Sequence, residues 1–270
     1  MKRNLLPASL AGVVLALSVA NAAVAAIREE PVTYKDGDTV LKGYVVYDDA
    51  STAKRPGIVV VPTWWGINKH MLDEARHYAD EGYTAFIADM FGDGRSPDNP
   101  KEAGPMARSL RASPATMLSR FKAAKDVLEN HISVDASRIG AVGYSLGGGV
   151  AIDMARAGSD LKGVAGFYVS GLGSALAPGD AGTVTSKLLV MNGASDPMIK
   201  PESVEAFEKE MTDAKVDYRY VSYPGAMHSY TDPDATEKGR QFNIPFAYDA
   251  QATQQSRAET SKFFSDVFKQ

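Results

Sequence analysis

Short apolar runs alternate with amphipathic stretches along the chain, and this predicts an α/β fold: a mostly parallel central sheet with helices on both faces. Two further observations support it. The apolar runs are four to eight residues long and end in Gly, Pro or Asp, as strands buried on both faces do. The composition, 44% hydrophobic and 23% charged over 270 residues, is that of an ordinary globular chain rather than a fibrous or disordered one.

Residues 1–26 are set apart from this pattern. Lys2 and Arg3 precede an apolar stretch from Leu10 to Ala20, and small residues fill Ala22 to Ala26. Charge, apolar core and small residues in that order are the layout of a secretory signal peptide, and the core is too short to span a bilayer. Cleavage after Ala25 or Ala26 leaves a chain starting near Ile27. Removing Lys2 and Arg3 takes the formal charge from −4 to −6 (27 basic against 33 acidic residues). The expectation is a protein exported to the periplasm or beyond, with no membrane partner after cleavage. The acidic balance provides no basic footprint for nucleic acid. With no Cys in the chain there is no disulfide, thiolate metal site or thiol nucleophile.

The mature chain, 27–270, reads as one domain and a monomer. Residues 40–47 alternate apolar with polar, as a half-exposed strand does. Buried strands are expected at 57–61 (GIVVV), 83–88 (YTAFIA), 138–142, 163–169, 187–191 and 217–223. Helices are expected at about 69–80, 101–130 with a break at Pro114, 146–157, 201–214 and 252–268.

Gly143-Tyr144-Ser145-Leu146-Gly147 lies between a strand-like and a helix-like run. A nucleophilic serine needs a sharp strand-to-helix turn, and glycines two residues to either side remove the side chains that would collide there. The N–H of Leu146, at the start of the helix, is then free to bind an oxyanion. A structural glycine turn is the alternative. A serine also needs a base, and the chain order on such a sheet is nucleophile, acid, histidine. Of His70, His77, His131 and His228, only His228 follows Ser145. The acid belongs after the preceding strand, where Asn192-Gly-Ala-Ser-Asp196-Pro forms a turn. Taken singly, Asp196 reads equally as a turn cap and His228 as a solvated loop residue. Together and in this order, the three read as a catalytic set.

These motifs, with Val60-Val-Pro-Thr-Trp-Trp-Gly-Ile-Asn68, Ala88-Asp-Met-Phe-Gly92 and Ala247-Tyr-Asp, resemble the dienelactone hydrolase family of α/β-hydrolases over nearly the whole mature chain. The resemblance implies ester or lactone hydrolysis through an acyl-enzyme, with Ser145 as nucleophile, Asp196 as acid and His228 as base. It also implies the backbone N–H of Trp64 as second oxyanion donor. Two departures are consistent with each other. The founding members have cysteine as nucleophile and a thiol-activating glutamate in the first loop, where this chain has Ser145 and Thr63. Those members also hold a substrate carboxylate with two arginines. Arg95 matches one position with imperfect spacing; the other is Asp232, whose charge at the mouth would repel a carboxylate.

Trp65, Arg95 and Tyr144 are the candidate substrate contacts. One of the Trp64–Trp65 pair would floor an acyl pocket, or both pack against the following helix. Arg95 is a carboxylate clamp or a solvated loop residue. His70, Asp73, Glu74 and His77 share a helix face without the His-Glu-x-x-His spacing of a metal site, and read as a solvated face. The glycines at 143–149 lack the lysine of a phosphate loop, so no cofactor is implied. Rival functions are a small peptidase of prolyl-oligopeptidase type, for whose gating propeller the chain has no room, and a non-catalytic ligand-binding protein on the same scaffold.

Overall fold

The computed structural model describes residues 27–176 and 184–269. The proposed signal peptide therefore lies outside the described residues. Eight strands form one sheet in the order β1-β2-β4-β3-β5-β6-β7-β8. β1 (Ile27–Asp36) and β2 (Thr39–Asp48) make an antiparallel hairpin, and β2 pairs antiparallel with β4 (Thr84–Ile87). From β4 onward every neighbour is parallel: β3 (Arg55–Val61), β5 (Val134–Tyr144), β6 (Gly163–Phe167), β7 (Lys187–Gly193) and β8 (Tyr218–Tyr223).

The expected strands are all present, shifted at their ends by a few residues. Those at the centre are apolar on both faces because helices cover both. β6 is wholly buried and β3 nearly so. β1 is an addition. Its sequence, IREEPVTYKD, is mostly exposed and charged, which suits a sheet edge.

α1 (Lys69–Asp80) and α7 (Ala250–Phe268) cover one face, packing Met71, Ala75, Tyr78, Phe264 and Phe268 on the sheet. α3 (Pro114–Glu129), α4 (Leu146–Arg156) and α5 (Pro201–Asp213) cover the other, with Phe121, Val150 and Phe207 in its core. α2 (Pro100–Arg111) precedes α3, and the expected break separates them as two helices, each with a proline in its first turn. α6 (Ala235–Phe242) was not anticipated. It supplies Ala235 to a small cluster with Trp65, Ala103 and Phe246. Among the described residues no helix is long and apolar enough to cross a membrane.

α4 approaches the sheet at backbone contact distance. A Cβ on Gly143 would lie 2.1 Å from the Gly147 carbonyl oxygen, and one on Gly147 would lie 2.1 Å from that of Val61. No rotamer change relieves a clash with backbone. Gly147→Ala is expected to destabilise the fold by about 3 kcal/mol, as severe overpacking does, measured by urea unfolding. A loss below about 1 kcal/mol would mean that α4 can withdraw from the sheet.

Candidate active site

The strand-to-helix turn at Ser145 is strained. Its φ of 53° and ψ of −112° lie in a region L-residues avoid. Two backbone bonds hold it there: Ser145 N–H donates to the Phe167 carbonyl at 2.9 Å, and Ser170 N–H donates to the Ser145 carbonyl at 3.2 Å. The side chain is thrown clear of the sheet edge, where its Oγ lies 2.8 Å from His228 Nε2.

His228 follows β8 in a loop and is fully buried. Its Nδ1 lies 2.6 Å from Asp196 Oδ2, in the turn after β7. The other Asp196 oxygen accepts from Met198 N–H at 2.8 Å, which fixes the carboxylate's orientation. The Tyr168 ring meets the imidazole edge-to-face at 5.3 Å, and the Phe246 ring lies tilted at 4.9 Å. Ser145, His228 and Asp196 thus come together from three strand ends, at distances that suit proton transfer at one imidazole nitrogen and orientation at the other.

No hydrogen bond among the described residues engages the N–H of Leu146, the first residue of α4, or of Trp64, in the loop after β3. Both remain available to a substrate oxygen. The Trp64–Trp65 pair divides its work. Trp64 lines a cleft of about 320 Å³ together with Ser145, Leu146, Arg108, Arg111 and Phe246. Trp65 is buried away from that cleft, against Phe242 of α6. Trp65 is therefore a packing residue, not a substrate contact.

Other expectations need correction. Tyr144 is fully buried, stacked on Phe167, with its hydroxyl on Glu74 Oε2 at 2.9 Å. Strand alternation aims it into the α1–α7 side, opposite to the cleft. Arg95 is exposed and does not line the cleft; its guanidinium donates back to the Phe91 and Gly92 carbonyls and closes its own loop. Asp232 is buried and held by Lys238 Nζ at 2.9 Å and Asp234 N–H at 2.9 Å, so its charge is matched and does not guard the mouth. His70 and Glu74 are not solvated either; both are buried, while Asp73 pairs with Lys69 and Arg76 on the surface.

Sequence reasoning missed Arg108 and Arg111, three residues apart in the last turn of α2. Arg111 donates through Nη2 to Ser170 Oγ at 2.8 Å, and Ser170 Oγ is 3.5 Å from Ser145 Oγ. Burial lowers the Arg111 guanidinium from its ordinary value, with the charge of Asp153 opposing, and no carboxylate pairs with it among the described residues. The sequence signal was present: two arginines one turn apart in a predicted helix. Only the fold turns that face toward Ser145.

Comparisons with known proteins identify the family and the fold. The family model described as the dienelactone hydrolase family matches residues 41–268. A putative carboxymethylenebutenolidase from Synechocystis is 27% identical over 218 residues, covering 76% of this chain and 87% of its own. A probable 2-oxo-3-(5-oxofuran-2-ylidene)propanoate lactonase from Bradyrhizobium is 29% identical, covering 66% of this chain and 75% of its own. Among solved structures, a dienelactone hydrolase-like promiscuous phosphotriesterase from metagenomic libraries is 34% identical. It superposes with a TM-score of 0.83 over 90% of this chain and 99% of its own. An α/β hydrolase from a Medee basin deep-sea metagenome, only 13% identical, matches with a TM-score of 0.68 over 90% of this chain and 99% of its own, which supports the fold alone. The fold is that of the α/β-hydrolases, and the chain belongs to the dienelactone hydrolase family.

Proposed function

We propose that the chain hydrolyses carboxylic esters or lactones through a serine acyl-enzyme. The observation that carries this reading is the unbroken contact series from Ser145 Oγ to His228 Nε2, and from His228 Nδ1 to Asp196 Oδ2, opening on the cleft. His228 takes the Ser145 proton as Oγ attacks the carbonyl carbon. The N–H groups of Leu146 and Trp64 receive the oxyanion, where each such donor is worth about 10²–10³ in rate. The imidazolium, steadied by Asp196, returns the proton to the leaving oxygen as the tetrahedral intermediate collapses. Water activated by His228 then releases the acid. The lactonase and butenolidase names of the relatives support the same substrate class.

The substrate we propose carries an anion. Arg111 is partly desolvated and hydrogen-bonded only to Ser170, Arg108 is exposed beside it, and among the described residues no carboxylate pairs with Arg111 and no Asp or Glu lines the cleft. A desolvated cation without a partner is poorly stabilised until an anion arrives. Arg108 and Arg111 would do what Arg95 was expected to do.

Asp196→Asn is expected to lower kcat on a neutral ester by about 10³–10⁴, because a misoriented imidazole cannot accept the proton, and Ser145→Ala to abolish acyl-enzyme turnover, because the attacking oxygen is gone. Loss of less than tenfold in Asp196→Asn, by steady-state kinetics, contradicts the assignment. Arg111→Met is expected to raise KM for a half-ester of a dicarboxylic acid by about 10–100-fold, the worth of one charge-assisted hydrogen bond. KM for the matching neutral ester should stay within about threefold, and Arg95→Ala should change neither. Equal effects of Arg111→Met on both esters would remove the anion preference.

Export remains part of the proposal. Its support is the sequence alone: Lys2 and Arg3, then the apolar stretch Leu10 to Ala20, then small residues at Ala22 to Ala26, in the order of a secretory signal peptide. Intact-mass measurement on periplasmic protein should give a chain starting within a residue or two of Ile27. A full-length cytoplasmic protein would contradict it.

A further inference from the structure

Beneath the elbow lies a buried polar chain that the reaction steps above do not use. Glu74 of α1 is fully buried. Its Oε1 accepts from Arg257 Nη2 of α7 at 2.8 Å, and its Oε2 accepts from the Tyr144 hydroxyl at 2.9 Å. Tyr78 adds its hydroxyl to that of Tyr144 at 3.0 Å. One turn before Glu74, His70 Nε2 lies 3.2 Å from Thr231 Oγ1, and Thr231 Oγ1 lies 2.9 Å from the Tyr168 hydroxyl. His70 Nδ1 faces Glu74 Oε1 at 3.8 Å. Hydrogen bonds thus run from Arg257 through Glu74 to Tyr144, and from His70 through Thr231 to Tyr168, whose ring packs against His228; the two series meet at the 3.8 Å contact of His70 with Glu74.

Three members of this polar chain, Tyr144, Tyr168 and Thr231, lie at or within two residues of a strained residue of the site. Three residues here have left-handed backbone without being glycine: Ser145 (φ 53°), Tyr168 (φ 37°) and Ser229 (φ 61°). Tyr144 precedes the first, Tyr168 is the second, and Thr231 lies two residues after the third. Strain of this kind persists only where surrounding contacts over-determine it. A buried carboxylate is a poor choice for stability alone, because apolar residues of similar volume commonly hold such an interface as well or better. The fixed directions of its hydrogen bonds are what an apolar residue lacks.

We infer that Glu74 is a positioning residue: anchored by Arg257, it holds Tyr144 and, through His70 and the Tyr168–Thr231 pair, the wall on which His228 rests, so that nucleophile and base keep one register. This rests on Ser145 and His228 acting as nucleophile and base, which an active wild-type enzyme and an inactive Ser145→Ala variant establish first.

The test is a double-mutant cycle of Glu74→Gln and Tyr168→Phe on a neutral ester, with melting temperatures taken alongside. Each single variant should lose about tenfold in kcat with KM within about twofold of wild type, because binding groups are untouched while alignment is lost. The double variant should fall no more than about twofold below the worse single one, because both break the same path. Two results overturn the inference: folded single variants with kcat within twofold of wild type, or a double loss equal to the product of the single losses. If Glu74→Gln does not fold, Arg257→Met, changed at the partly exposed end of the chain, takes its place in the cycle under the same criteria.

Discussion

Helix α4 meets the ends of β3 and β5 with no side chain between the backbones, and the chemistry at the sheet edge depends on that approach. Gly143 and Gly147 make the contact sterically possible. The turn it forces holds Ser145 in a left-handed conformation, tied to β6 by the Phe167 carbonyl and the Ser170 N–H. The same geometry exposes the Leu146 N–H at the head of the helix, which makes the proposed nucleophile and the proposed oxyanion donor products of one constraint. A looser packing of α4 would lose both together.

Charge is handled differently on the two sides of this helix. Arg156, at its far end, is almost fully buried, yet it is bound by Asp153 at 3.0 Å and by both oxygens of Glu210 at 2.9 and 2.7 Å. Arg111 reaches the cleft with hydrogen bonds to Ser170 and no carboxylate partner among the described residues. In the proposed function a guanidinium so placed is compensated by an anionic substrate. The contrast distinguishes an arginine that holds the structure together from one that we propose receives the substrate. On the opposite face Glu74 and Arg257 form a third arrangement, a buried carboxylate paired with a partly exposed guanidinium, and the carboxylate's other oxygen accepts from Tyr144, the residue before Ser145.

Much of the fold was legible because buried parallel strands are short apolar runs, and those between β3 and β8 are clear in the sequence. β1 was not, since an edge strand carrying Arg28, Glu29, Glu30 and Lys35 has the composition of a loop. The order Ser145, Asp196, His228 was readable because each follows a strand, and strand ends converge at one sheet edge. Tyr144, Trp65 and Arg95 were not readable as substrate contacts. Their neighbours in sequence are at the cleft, but strand alternation, a packed loop and a self-closing turn point them elsewhere. His70 and Glu74 show the limit of periodicity. A polar helix face looks the same in sequence whether it meets water or a buried tyrosine and arginine. Arg111 belongs to the same class, because the register of α2 against the cleft is set by tertiary packing.

The central claim is that Ser145 is an activated nucleophile, and fluorophosphonate labelling followed by peptide mapping tests it most directly. The account predicts covalent label on Ser145 alone, lost in Ser145→Ala and strongly slowed in Asp196→Asn. Folded wild-type protein that takes no label, or takes it on another residue, would contradict it.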